Sequence, residues 1–131
     1  MIEIKSVKID VIENNILRDR AIRARCGRST EYIAIINEIE VAFLSCEDWS
    51  NVSEVFIYEI FVLPEYRGKG IGNHLIKFSE NKAKELNCNK VLLRPEPFDK
   101  TIGFDFLLSW YKRLGYEKMK SRPDIMFKNI F

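Results

Sequence analysis

A glycine-rich segment in the middle of the chain carries the strongest chemical signal. Residues 67–72 read Arg-Gly-Lys-Gly-Ile-Gly and lie between a β-forming run and an amphipathic helical stretch. Glycines at a helix N-terminus leave backbone N–H groups uncovered, and these donors favour an anion together with the helix dipole. Arg67 and Lys69 add positive charge beside them. The segment therefore predicts a binding site for a phosphate or pyrophosphate group.

The glycine spacing separates this segment from two common nucleotide-binding loops. A Walker A loop ends in Lys-Ser or Lys-Thr, which the segment lacks. A dinucleotide-binding GxGxxG loop needs a glycine three residues after Gly70, where the chain has Asn73. Arg67, Gly70 and Gly72 fit a third pattern: Gln or Arg, two residues, Gly, one residue, and Gly or Ala. A glycine-rich turn without a ligand is the structural alternative.

The composition predicts one globular domain that spans residues 1–131. Apolar residues make up 47% and charged residues 31% of the chain, which argues against a disordered protein. A net charge of +2 disfavours nucleic acid and membrane surfaces as partners. The N-terminus alternates apolar and polar residues, so we expect no signal peptide and a cytoplasmic protein. Cys26, Cys46 and Cys88 are scattered and lack metal-ligand spacing, so we expect reduced thiols and no metal site.

Hydrophobic periodicity predicts the element order β-α-β-β-β-α-β-α-β-β. The predicted strands span residues 1–12, 32–36, 41–46, 54–62, 90–94, 116–120 and 124–129. The predicted helices span residues 16–26, the stretch from the glycine segment to about residue 86, and residues 106–114. Asn37-Glu38 predicts a hairpin turn, residues 47–53 predict a loop, and Asp105 is the expected N-cap of the last helix.

Two segments resemble motifs of the GCN5-related N-acetyltransferases, the GNAT superfamily. FVLPEYRGKGIGNHLIKF at residues 61–78 resembles the family's acetyl-CoA signature, and SWYKRLGYE at residues 109–117 resembles its later FYxxxGF motif. The agreement in spacing and strand order covers about residues 30–129. The resemblance implies the acyl-CoA N-acyltransferase fold, an α/β three-layer αβα sandwich. Its sheet would be mixed and mostly antiparallel, with about six to seven strands.

The resemblance also implies acetyl-CoA as cosubstrate and identifies the residues that would bind it. The fourth strand would splay from the fifth, and the pantetheine arm would pair with backbone groups in that gap. The backbone N–H of Val62 would polarise the thioester carbonyl. The glycine segment would bind the pyrophosphate, with Arg67 at the family's Gln/Arg position. The implied cofactor-binding residues are Ile60, Phe61, Val62, Arg67, Gly68, Lys69, Gly70, Ile71 and Gly72.

Tyr111 is the candidate proton donor, because it matches the family's tyrosine near the cofactor sulfur. A phenol with a pKa of about 10 can protonate a departing thiolate. The alternative is a packed aromatic residue beside Trp110.

Glu59 is the candidate base of the reaction. In a regular strand it would share a face with Val55, Ile57 and Phe61, where burial would raise its pKa. An exposed cross-strand partner is the alternative for Glu59, and Glu54 or a chain of water molecules could hold the role instead.

Several other residues have a functional and a structural interpretation. His74 is expected on the exposed face of its helix. Five arginines scatter around the first helix and predict a solvated surface, with an anionic acceptor such as RNA as the alternative; they are Arg18, Arg20, Arg23, Arg25 and Arg28. Trp49, Phe98 and Phe104 could line an acceptor pocket or cap the core. Phe104 also stands where the family often has a cofactor-contacting Asn.

The resemblance thus predicts an N-acetyltransferase that transfers an acetyl group from acetyl-CoA to a primary amine of a small molecule or protein. Two alternatives stay open: a toxin-like member acting on aminoacyl-tRNA, suggested by the arginine run, and a non-catalytic acyl-CoA-binding module. Dimers are common in the family, which keeps a homodimer open.

Overall fold

A computed structural model describes residues 1–97 and 101–130. Its strands are β1 (Ile2–Ser6), β2 (Ser29–Ile36), β3 (Ile39–Trp49), β4 (Glu54–Val62), β5 (Lys90–Leu93), β6 (Glu117–Lys118) and β7 (Met126–Asn129). Its helices are α1 (Asn15–Ala24), α2 (Ile71–Glu85) and α3 (Phe104–Arg113). Short 3₁₀ turns span Ile9–Val11, Ser50–Val52 and Pro64–Tyr66. The predicted order of strands and helices is confirmed.

The described strands form one mixed sheet in the order β1-β2-β3-β4-β5-β7-β6. Neighbouring strands are antiparallel except β4 and β5, which are parallel. Helix α1 packs on one face of the sheet, called here the α1 face, and α2 and α3 pack on the opposite face. The predicted three-layer αβα sandwich is therefore confirmed.

Each helix is held to the sheet by the apolar stripe that its sequence predicts. Helix α1 buries Leu17, Ala21 and Ala24, and the side chain of Asn14 accepts a hydrogen bond from the Leu17 N–H at 3.0 Å. Helix α2 buries Leu75 and Ile76 among other residues of its inner face. Helices α1 and α2 therefore pack on the sheet from opposite faces.

Some predicted boundaries are wrong for local reasons. Strand β1 ends at Ser6, because a 3₁₀ turn follows where the alternating pattern continues to residue 12. Strand β3 continues to Trp49 through the predicted loop, because residues 47–49 still pair with β4. Helix α3 begins at Phe104 with Gly103 as N-cap, so Asp105 lies in the first turn and is not the cap.

The expected hairpin turn at Asn37-Glu38 is confirmed by positive φ angles of 49° and 67°. Such angles match the twist of the flanking strands β2 and β3.

Candidate active site

Strands β4 and β5 separate halfway along β4. Their parallel pairing runs from Glu54↔Lys90 to Ile57↔Leu93, where β5 ends while β4 continues to Val62. This is the predicted splay, and it leaves one edge of β4 without a β5 partner.

The backbone of Val62 faces the gap. The N–H of Leu63 donates to the Val41 carbonyl of β3 at 2.9 Å. Hydrogen-bonded and non-bonded pairs alternate along an antiparallel ladder, so the next pair, Ala42↔Val62, directs the polar groups of Val62 away from β3. Ile60 has the same parity as Val62, so both residues direct an N–H and a carbonyl toward the gap.

A β-bulge at Tyr58 changes the face of the sheet on which the following side chains of β4 lie. Cys46 of β3 pairs with Ile57, and the next residue, Ser45, pairs with Glu59, so Tyr58 is the extra residue. Before the bulge Ile57 packs on the α2–α3 side, and after it Phe61 packs on the α1 face. The expectation that Glu59 shares a face with Val55 and Ile57 is therefore wrong, because it assumed a regular strand.

The glycine segment forms the turn into α2. Gly68 and Gly70 have φ angles of +77° and +81°, a conformation that favours glycine. Gly70 is the N-cap of α2, and no side chain of the described residues caps it. The first N–H groups of a helix lack intrahelical partners, so this end offers donors to an anion.

A cavity of about 870 Å³ joins the splay, the glycine turn and the third helix. Its lining includes ten residues that the sequence singled out: Glu59, Ile60, Phe61, Val62, Arg67, Gly68, Gly70, Ile71, Gly72 and Tyr111. The predicted Lys69 has an exposed side chain and is not among the described lining residues. The structure thus brings the predicted groups other than Lys69 to one cavity.

Arg67 reaches from the glycine turn into the splay. Its Nε donates to the Val62 carbonyl at 2.8 Å, and its Nη1 donates to the Thr101 hydroxyl at 3.2 Å. Its Cζ lies 5.3 Å from the centre of the Phe61 ring. The guanidinium therefore sits on the open edge of β4.

Tyr111 lies on α3 at the cavity wall with 7% of its surface exposed. Its ring centre lies 4.9 Å from that of Trp110 and 6.2 Å from that of Tyr116. Desolvation by burial raises the pKa of the Tyr111 phenol to about 12. The phenol is therefore protonated at neutral pH and can donate a proton or hydrogen bond.

Glu59 is 4% exposed and pairs with Arg20 of α1 at 2.5 Å between Oε2 and Nη1. Burial raises its carboxyl pKa above the ordinary value, and the Arg20 guanidinium opposes that change. A carboxyl whose pKa is raised toward neutrality is a better proton acceptor than an ordinary one. Of the two interpretations of Glu59, the structure excludes the exposed cross-strand partner.

The family model described as an acetyltransferase (GNAT) domain matches residues 27–118. This chain belongs to the GNAT family. An uncharacterised N-acetyltransferase from Methanocaldococcus jannaschii is 34% identical over 92 residues, which are 66% of this chain and 38% of that relative. The chain thus matches well under half the length of that curated relative.

Solved structures share the GNAT fold with this chain at low sequence identity. The PaiA N-acetyltransferase from Thermoplasma acidophilum, in complex with coenzyme A, has a TM-score of 0.69 at 15% identity, covering 98% of this chain and 99% of that chain. The ribosomal-protein-S18-alanine N-acetyltransferase from Escherichia coli has a TM-score of 0.69 at 14% identity, covering 99% and 94%.

Other sequence candidates of this GNAT domain lie away from the cavity. Glu54 begins β4 opposite Lys90, and His74 is exposed on α2 as expected. Trp49 lies under the Arg28 guanidinium at 3.8 Å and donates to Glu47 at 3.0 Å. Phe104 is 50% exposed and outside the described lining, and Phe98 lies outside the described residues.

Sequence reasoning missed three contributors to the site. Arg20 was expected on a solvated helix, yet its side chain is 12% exposed because it pairs with Glu59. Trp110 donates from Nε1 to Asn73 Oδ1 at 2.8 Å, and both residues line the cavity. The position of Trp110 in the FYxxxGF-like segment was a usable signal, whereas Arg20 had none, because the bulge that turns Glu59 toward α1 is not visible in the pattern.

The described residues contain neither a cluster of metal-ligand side chains nor a membrane-spanning helix. Across residues 1–97 and 101–130 no three His, Cys, Asp or Glu side chains cluster in a way that could hold a metal ion. Within the same ranges no helix combines the length and apolar character that crossing a membrane requires. Cys46 is buried, and desolvation raises its thiol pKa to about 12, which argues against a nucleophilic role.

Proposed function

We propose that this protein transfers an acetyl group from acetyl-CoA to a primary amine of a small molecule or protein. The observation that carries the proposal is one cavity with three parts: the open edge of β4, the uncapped start of α2 and the buried phenol of Tyr111. The structural neighbour from T. acidophilum was solved with coenzyme A, which supports a CoA thioester as donor.

Donor binding is proposed at the glycine turn and β4. The N–H groups of residues 68–72 bind the pyrophosphate, with Arg67 and Lys69 supplying positive charge. The pantetheine arm pairs with the backbone of Ile60 and Val62, and Phe61 between them keeps its backbone on β3 while its side chain lines the cavity. Because Arg67 holds the Val62 carbonyl at 2.8 Å, the arm must displace this side chain toward the pyrophosphate as it enters.

Acetyl transfer needs two proton movements. The neutral amine attacks the thioester carbonyl, so a C–N bond forms and the oxygen becomes negative beside the Val62 N–H. The C–S bond then breaks, Tyr111 protonates the thiolate, and Glu59 accepts the proton of the amine, directly or through water. Solvent exchange restores both groups, and the products are the amide and free CoA.

The arginines within residues 18–28 support an aminoacyl-tRNA acceptor less strongly in the folded chain than in the sequence alone. Arg18 donates to the Ile12 carbonyl at 2.8 Å, Arg20 pairs with Glu59, and Arg28 contacts the Asp48 carbonyl at 3.2 Å. Three of the five cations are thus engaged within the protein, so an RNA backbone would meet a weaker positive surface.

The test measures thiol release from acetyl-CoA with and without a panel of primary amines. We expect slow release without an amine and faster release with at least one amine, with the acetyl amide found by mass spectrometry. CoA binding without transfer to any amine would show a binding module. Transfer to aminoacyl-tRNA alone would select the toxin-like alternative.

A further inference from the structure

We propose that Arg20 is a positioning residue of this site, which fixes and keeps ionised the Glu59 carboxylate at the cavity wall. The inference rests on the proposed amine acetylation, in which Glu59 is the base. Arg20 itself does not line the cavity in the described structure, so it acts on the reaction through Glu59.

Contacts with two of the described residues help to hold the Arg20 guanidinium in place. Its Nη1 bonds Glu59 Oε2 at 2.5 Å, and its Cζ lies 3.7 Å from the centre of the Phe61 ring. A guanidinium over an aromatic face is attracted by the ring, and the planar group presents its donors in fixed directions. Since Phe61 follows Glu59 by two residues on β4, one side chain of α1 binds both the carboxylate and its neighbour on the same face.

The bulge at Tyr58 is what makes this pairing available. A regular strand would turn residue 59 toward α2 and α3, away from α1. The extra residue turns Glu59 to the α1 face at the point where the parallel pairing with β5 stops. Glu59 therefore lines the cavity while its carboxylate contacts α1.

The groups around Glu59 come from α1, β2, β3, β4 and the glycine turn. Helix α1 supplies Arg20 in contact and Arg23 at longer range. Opposite Glu59 on β3 lies Ser45, whose hydroxyl donates to Glu31 of β2 at 2.9 Å. Tyr58 precedes Glu59 on β4, and Arg67 approaches the Phe61 ring at 5.3 Å. Arg20 is the cation that the structure places in hydrogen-bond contact with the Glu59 carboxylate.

Burial and Arg20 act in opposite directions on Glu59. Desolvation raises its pKa, and the contacting guanidinium lowers it. An opposite charge in contact lowers a carboxyl pKa by about 1–3. Without Arg20, the buried carboxyl would hold its proton to higher pH and would lose its fixed orientation.

The experiment compares Arg20→Met and Arg20→Lys with the unaltered protein. In Arg20→Met the acid limb of kcat/KM moves up by about 1–3 pH units, and kcat at neutral pH falls, while KM for acetyl-CoA stays within about twofold. Arg20→Lys keeps a positive charge beside Glu59, so its acid limb should lie closer to that of the unaltered protein. Arg25→Met is the control, because Arg25 is an exposed cation at the end of the same helix.

A purely structural role for Arg20 would lower stability and leave the acid limb in place, and that result would overturn the proposal. Equal losses of kcat from Arg20→Met in the native and Glu59→Gln backgrounds would overturn it as well, because Arg20 acts only through Glu59. If Arg20→Met fails to fold, Arg20→Lys and Arg20→Gln carry the same comparison.

A titration separates this inference from the proposed function. The Glu59 side-chain carboxyl is followed by ¹³C NMR in the cofactor-free protein, with Glu59→Gln to assign its signal. We expect a higher Glu59 pKa in Arg20→Met than in the unaltered protein. A raised pKa without acetyl transfer by the unaltered protein would contradict the function alone, and an unchanged pKa would contradict the role of Arg20.

Discussion

Gly72 lies directly under the indole of Trp110. A Cβ placed on Gly72 would come within 3.0 Å of Trp110 Cζ2 and 3.1 Å of its Cη2. Next to it, Asn73 accepts the hydrogen bond of the Trp110 indole at 2.8 Å. The start of α2 and the α3 helix that carries Tyr111 are therefore in contact at this glycine. Gly72 is therefore needed for packing against Trp110, in addition to the role proposed for the glycine turn in binding a ligand.

Gly72→Ala is expected to destabilise the protein and to move Trp110. A Cβ at 3.0 Å forces a shift of a few tenths of an ångström, and overpacking of this kind costs about 1–3 kcal/mol. Denaturant unfolding measures the loss, and tryptophan emission in a Trp49→Phe background reports the Trp110 displacement. Unchanged stability together with unchanged emission would show that the position of the Trp110 indole does not depend on Gly72.

Gly70→Val tests the proposed pyrophosphate site at the start of α2. Nothing in the described structure lies within 4 Å of a Cβ at Gly70, so the added side chain projects into space that the ligand would use. Loss of one hydrogen bond to an anion costs about 1.5–3 kcal/mol, so CoA affinity measured by calorimetry should fall about tenfold or more.

Gly115→Ala is the matched control for backbone strain. Gly115 has a φ of +99° and ends α3, so the substitution is strained like that at Gly70 but touches another part of the molecule. We expect lower stability with unchanged CoA affinity. If Gly70→Val also leaves CoA affinity unchanged, the glycine turn does not bind the pyrophosphate.

Residue patterns predicted the helices and strands of the fold, because each of them is determined by residues close together in the chain. The β-forming run Glu54–Val62 and the apolar stripe of α2 predicted the correct element types, and the glycine turn lies between them as expected. Gly115 ends α3 with a positive φ, as its position after the apolar run indicates. These features depend on residues close together in the chain.

The orientation of Glu59 could not be predicted, because it depends on a pairing between distant segments. The bulge at Tyr58 arises from the register of β4 against β3, and no residue type in β4 marks it. The position of Arg20 follows from that bulge. The N-cap of α3 was missed because Asp105 is a stronger cap by residue type than Gly103, which the loop geometry selected.

Tyr111→Phe is expected to lower kcat by about 10²–10⁴-fold, because it removes the proposed general acid and almost no volume. KM for acetyl-CoA should change little, since the proposed donor contacts lie on the glycine turn and β4. Tyr32→Phe is the control, because Tyr32 packs on Phe78 and is not among the described lining residues. Near-normal kcat in Tyr111→Phe would mean that solvent protonates the thiolate and that Tyr111 only packs.

The raised pKa of Tyr111 also predicts a pH dependence of stability. Its folded value of about 12 exceeds the ordinary value of 10.0, so its contribution is fully present below pH 10 and is lost as pH rises toward 12. Over this window, the unfolding free energy of the native protein should fall by about 2–3 kcal/mol relative to that of Tyr111→Phe. The pKa shifts of Cys46 and Tyr32 do not involve Tyr111 and cancel in the difference, and folded Tyr116 stays protonated over this window in both proteins because burial and Glu80 raise its pKa.

A constant difference in unfolding free energy between the native protein and Tyr111→Phe from pH 9 to pH 12 would contradict a buried, neutral phenol. The same pKa places any fall of kcat caused by ionisation of Tyr111 near pH 12 and not near pH 10.

Backbone amide NMR with an unreactive acetyl-CoA analogue tests the location of the donor most directly. We expect the amides of Ile60, Val62 and residues 68–72 to shift on binding, and the Val62 amide to become protected from hydrogen exchange. Amides of β1 serve as the internal reference, because β1 lies at the far edge of the sheet. Saturable binding that shifts amides elsewhere and leaves Ile60, Val62 and the glycine turn unmoved would contradict the central claim that the donor lies in the splay between β4 and β5.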